Sequence, residues 1–84
     1  MNKSESFSRV GLKITVHDNR VEVVDGMFPT AKTITIPIRT ITGVEITRLT
    51  KELVISTADG ARHKYAIGGF GKSRRCRDAI LARL

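Results

Sequence analysis

From Leu12 onward the chain alternates, with Leu12, Ile14 and Val16 apolar and Lys13, Thr15 and His17 polar between them. A two-residue repeat of this kind puts one face of a strand in a core and the other in water. Asp18-Asn19 follows, and both residues tolerate positive φ. They suit a tight hairpin that returns the chain as a strand over 20–24, with Val21 and Val23 on the core side. Asp25-Gly26 opens a second break that runs through Met27, Phe28 and Pro29. Alternation resumes with Ile34, Ile36 and Ile38, while Thr33 and Thr35 face outward. Pro37 has no N–H to give to a ladder, which places this segment at a sheet edge or gives it a bulge. Ile41, Val44 and Ile46 carry the register past Arg39-Thr40, with Gly43 allowing a bend, as one long kinked strand or two short ones.

Leu53 to Thr57 and His63 to Ile67 flank Asp59-Gly60, whose preference for positive φ is the strongest hairpin signal in the chain. Leu53 and Ile55 are expected to meet Tyr65 and Ile67 across that hairpin. The period then changes: Cys76, Ala79, Ile80 and Leu84 fall on one helical face. Gly68, Gly69 and Gly71 separate this helix from the strand, and Ser73 is placed to cap its N-terminus. A helix this short does not persist alone in water, so its apolar stripe must pack on the sheet. Residues 1–9 are polar, Ser-rich and aperiodic, and are expected as a flexible tail ahead of a single domain over 10–84. No internal repeat or linker breaks that domain.

At 84 residues there is room for one core. Ile, Val and Leu supply most of the apolar content and there is no Trp, which reinforces the strand reading. Cys76 is the lone cysteine, so no internal disulfide forms. No apolar run is long enough for a membrane helix or a secretory signal, and a reducing, cytoplasmic setting is expected. Lys and Arg outnumber Asp and Glu by 15 to 8, so the surface should draw anionic partners.

The chemistry-bearing residues do not assemble into a catalytic set. Ala66 to Ser73 comes within one residue of the phosphate-binding loop G-x-x-x-x-G-K-[ST], with Ala66 where the first glycine belongs. Nucleotide-hydrolysing domains need further parallel strands and a metal-binding acid beyond that loop, and only eleven residues follow Ser73. A weaker version survives, an anion contact made by Lys72, Ser73, Arg74, Arg75 and Arg77 at the helix start. The competing reading is a merely solvated helix face. His17 and His63 have no second ligand at metal spacing, and Cys76 on the apolar helical face reads as a buried, inert thiol. No metal, no cofactor, no small-molecule substrate and no enzymatic activity are expected. The Ile- and Thr-rich edge, with Thr33, Thr35, Pro37 and Arg39, is a candidate for pairing with a partner strand or a second copy. It reads equally as a strand covered by its own neighbours, with Pro37 blocking association.

The run from Thr35 through Ile36-Pro37-Ile38-Arg39-Thr40-Ile41-Thr42-Gly43 to Val44, the Leu53-Val54-Ile55 to Asp59-Gly60 hairpin, and a final strand and helix together resemble the bacterial pleckstrin-homology-like (PH-like) domains. The resemblance covers 12–84. It implies a mainly β, α+β fold: an antiparallel, partly open barrel of two nearly orthogonal sheets with six to seven strands, capped by one C-terminal helix whose Cys76, Ile80 and Leu84 form the plug. Lipid-reading relatives of that fold hold inositol phosphates with a basic pattern on the first hairpin. Lys13 and Arg20 match its first two places, but Glu22 stands where the last arginine belongs. The expected function is therefore a non-enzymatic interaction module that binds a protein partner or self-associates through the edge strand and a basic face. Nucleic acid or an anionic membrane, held at the basic helix start, is the alternative.

Overall fold

Alternation decides the architecture. In the computed structural model, which describes residues 4–27, 29–68 and 70–84, the repeats become seven strands and one helix. Phe28, Gly69 and the first three residues of the expected tail lie outside the described residues, and Phe70 is described by its backbone alone. The strands are β1 (Glu5–Arg9), β2 (Leu12–Val16), β3 (Arg20–Asp25), β4 (Lys32–Pro37), β5 (Ile41–Ile46), β6 (Leu53–Thr57) and β7 (Arg62–Tyr65). The helix α1 spans Phe70–Leu81. They form two antiparallel sheets, β1-β2-β3-β4 and β5-β6-β7, and not a closed barrel.

The apolar half of each repeat lands where the alternation put it. Ile14 faces Val23 and Val21 faces Ile36, and all four side chains are buried. Leu53 pairs with Tyr65, and Ile67, just past the end of β7, is also buried. Ile38 to Thr40 forms a single 3-10 turn, so the run from Lys32 to Ile46 is two strands, β4 and β5, and not one. The bend near Gly43 is a register shift: Ile41 pairs with Thr57 and Gly43 with Ser56, leaving Thr42 without a cross-strand partner.

Three expectations are corrected. Residues 5–9 are not a tail but the strand β1, paired along its length with β2. A single apolar residue, Phe7, carries no period, yet it sits opposite Ile14 and packs against the core. Ser73 does not cap the helix, which begins three residues earlier. Its hydroxyl is buried and donates to the Lys51 carbonyl at 2.8 Å, tying the helix to the β5–β6 loop. Leu84 lies beyond the helix end and is 56% exposed, so the apolar stripe that packs is Cys76, Ala79 and Ile80.

Where α1 lies explains what remains open. It packs chiefly on β5 and also touches β1, β6 and β2. The first two are edge strands, one from each sheet, so the helix covers the seam between them. The other two edges, β4 and β7, receive no such cover from α1.

Candidate functional site

The direction of each backbone group along β4 follows from one bond. The Ile38 N–H donates to the Asn19 carbonyl at 3.0 Å, which fixes the phase of the β3–β4 ladder. Antiparallel pairs alternate between hydrogen-bonded and non-bonded positions, so Ile34 and Ile36 exchange bonds with Val23 and Val21. Thr33, Thr35 and Pro37 therefore turn their backbone groups away from β3. The phase agrees with the neighbouring ladder, where His17 N–H meets the Arg20 carbonyl and Gly26 N–H meets the Gly11 carbonyl. Pro37 has no N–H, and its carbonyl accepts the Thr40 hydroxyl at 2.7 Å. What the edge offers is the N–H and C=O of Thr33 and Thr35.

A groove of about 420 Å³ runs beside this edge. One wall is Ile34, Thr35, Ile36 and Pro37 of β4, with Thr40 at its end. The other is Thr57 at the end of β6, Ala58 and Asp59 of the β6–β7 turn, and His63 of β7. The Ala58 N–H donates to the Thr40 carbonyl at 2.8 Å and pins that turn to the 3-10 bend. The turn itself is built on Asp59, whose Oδ1 accepts the Thr57 hydroxyl at 2.5 Å and the Ala61 N–H at 3.0 Å. Those two donors, the Thr57 hydroxyl first, hold the Asp59 carboxyl below its ordinary range. Gly60 takes a φ of 90°, the left-handed conformation for which Asp-Gly was read as a turn. Ile34 is on the core side of β4 but 36% exposed, because no strand lies beyond it.

Of the four edge residues chosen from sequence, Thr33, Thr35 and Pro37 lie on β4, and Arg39 lies on the 3-10 turn. Arg39 lines a second hollow of about 660 Å³, which shares Thr35 and Pro37 with the groove and adds Asp18, Arg20, Ile41, Arg83 and Leu84. Much of the charge in that hollow is already matched. Arg20 pairs with Glu22 at 3.1 Å, and Arg83 reaches Glu5 at 3.2 Å and Asp18 at 3.8 Å.

The five candidate anion ligands are engaged differently. The Lys72 ammonium donates to the Ser8 carbonyl at 2.5 Å, with its stem lying over Gly68, and Ser73 is buried. Arg77 pairs with its neighbour Asp78 at 3.0 Å. Arg74 and Arg75 are exposed. His17 bonds the Ser4 hydroxyl and Glu22, and among the described residues no cluster of His, Cys, Asp and Glu is arranged to hold a metal. Cys76 is fully buried and its thiol is pushed up to about 12, first by desolvation and then by the charge of Glu5. No helix among the described residues is long and apolar enough to cross a membrane.

Sequence reasoning missed Val54, which is fully buried on the face of β6 opposite the main core cluster. It also missed the role of Arg83 in joining α1 to β1 and to the β2–β3 turn. The first left a signal, three apolar residues in a row at 53–55, which marks a strand covered on both faces. The second left none, since Glu5 and Arg83 stand at the two ends of the chain. Comparison of the chain with family models, with curated proteins and with solved structures found no match.

Proposed function

We propose that this protein is a non-enzymatic interaction module that receives an extended segment of a partner protein along β4. The observation that carries the reading is the phase of the ladder: Thr33 and Thr35 turn their backbone groups to an edge beside a groove walled on that side by Ile34 and Ile36. Strand addition takes affinity from main-chain bonds and specificity from the alternate side chains that enter a neighbouring groove. The partner is another protein and not a second copy. Pairing two copies edge to edge would bring together two chains of net charge +7. The kinship with PH-like domains belongs to the same proposal and is supported by the order of strands and the final helix. A cytoplasmic setting accords with the single buried, unpaired cysteine.

The decisive variant is Thr35→Pro. The outward N–H of Thr35 is unused by β3, and proline is tolerated at such an edge position. The substitution removes the donor a partner strand needs while leaving the fold intact. Cross-linked partner recovered by the wild type should be lost by Thr35→Pro and retained by Thr42→Ala. A partner held equally by all three, or a protein that stays monomeric without capturing any chain, overturns the reading. Self-association that Thr35→Pro abolishes would keep the edge and replace the partner by a second copy.

A further inference from the structure

The ladder that β4 can offer a partner is short, and its end is fixed. Beyond Thr35 the next outward position is Pro37, which has no N–H and whose carbonyl accepts the Thr40 hydroxyl at 2.7 Å. Pairing therefore stops at Pro37, with the N–H and C=O of Thr33 and Thr35 in use. Each such bond contributes little net of the water it displaces, so a partner held by these alone would leave readily. Side chains must supply the remaining affinity and all of the specificity.

Two hollows meet at that stop. The groove of about 420 Å³ and the hollow of about 660 Å³ both include Thr35 and Pro37 in their walls. Each also holds a large apolar side chain that the fold leaves partly bare, Ile34 in the groove and Leu84 in the hollow. Their charges differ. The groove has the Asp59 carboxylate, bonded within its own turn. The hollow has Asp18, Arg20, Arg39 and Arg83, of which Arg20 pairs with Glu22, and Arg83 with Glu5 and Asp18. The guanidinium of Arg39 is exposed and makes no ion pair or hydrogen bond among the described residues. At the other end of β4, Lys32 stands across the ladder from Asp25, and Lys64 of β7 lines neither hollow. The unmatched cation beside this edge is thus at its Pro37 end.

We infer that the partner segment is acidic at the end that reaches Pro37, where its carboxylate meets Arg39, and carries apolar residues at alternate positions behind it. The inference rests on strand addition to β4. Every ladder in both sheets is antiparallel, and an antiparallel partner brings its N-terminal end to Pro37. Residues directly opposite each other in such a pair put their side chains on the same face. The partner residues opposite Ile36 and Ile34 therefore send theirs toward the groove, and the residue between them, opposite Thr35, turns to the outer face. Read from its N-terminus, the segment has an acidic residue, then within one or two positions an apolar residue, a residue of any kind and a second apolar residue. An acid deeper in the groove would meet the Asp59 carboxylate instead.

Selection of phage-displayed random octapeptides on the immobilised protein tests this. The wild type should enrich sequences of that order. Arg39→Glu, at an exposed position, should keep the apolar pair and exchange the acid for Lys or Arg. Arg74→Glu makes the same change of charge on α1, in neither hollow, and should leave the acid in place. A synthetic peptide of the enriched sequence should bind roughly fivefold more weakly once its acid is replaced by the amide, the upper reach of a partly exposed ion pair. That difference should shrink as salt rises. Apolar pairs enriched without an acid, or an acid that survives Arg39→Glu, would overturn the inference and leave the β4 edge standing. No enrichment by the wild type, or enrichment that Thr35→Pro fails to abolish, would overturn strand addition and the inference with it.

Discussion

Ile80 and Leu84 stand four residues apart on what the sequence presents as one helical stripe, and the structure gives them opposite fates. Ile80 is 0% exposed and Leu84 56% exposed. Ile80→Ala removes three buried carbons, about 2.4 kcal/mol at roughly 0.8 kcal/mol for each. The cavity left behind raises the cost to about 3–4 kcal/mol, inside the usual range for such truncations. A domain of this size has a total stability of roughly 4–13 kcal/mol, so the variant should lose between about a quarter and nearly all of its margin. Leu84→Ala, at a half-solvated position past the helix end, should cost under about 0.5 kcal/mol. Urea unfolding followed by circular dichroism measures both, and the midpoint should fall steeply for Ile80→Ala and hardly at all for Leu84→Ala, at an unchanged slope. Equal losses would mean that Leu84 belongs to the plug after all and that the account of how the helix closes the β1/β5 seam is wrong.

Ser73→Ala should cost about 1 kcal/mol, because it removes the bond from the buried Ser73 hydroxyl to the Lys51 carbonyl; thermal unfolding checks it, and a neutral result would mean the bond contributes nothing to holding the helix on the β5–β6 loop. Cys76 should resist a thiol reagent at neutral pH in the folded protein and react fully in denaturant, since burial raises its thiol to about 12; rapid native labelling would contradict that burial. The Asp59 carboxyl titrates lower in the folded chain than in the unfolded one, so its stabilising effect is present above the ordinary carboxylate range and fades as pH falls through the depressed value. Thr57→Val should therefore weaken the fold at neutral pH and match the wild type in strong acid, as read from unfolding midpoints against pH.

What could be read in the sequence was whatever repeats locally. Leu12-Ile14-Val16, the Asp18-Asn19 and Asp59-Gly60 turns, and the Cys76-Ala79-Ile80 spacing each hold their meaning within a few residues, and each appears in the structure, although Asp18 and Asn19 make their hairpin without the positive φ that Gly60 adopts. Pro37 went further and marked β4 as an edge. What failed depends on distant neighbours. β1 has one apolar residue and becomes a strand only because β2 offers a ladder and the core has room for Phe7. Ser73 looked like a cap because serine near a helix start usually is one, yet its acceptor lies twenty-two residues away. The groove beside β4 is invisible for the same reason, since its walls come from opposite sheets.

Backbone amide exchange in the free protein, resolved residue by residue along β4, tests the open edge most directly. Bonds within the ladder protect an amide and an uncovered edge does not. The expected profile alternates: Ile34 and Ile36 slow, Thr33 and Thr35 fast. Protection of Thr33 and Thr35 equal to that of Ile34 and Ile36 would show the edge already occupied, and the interaction surface proposed here would not exist.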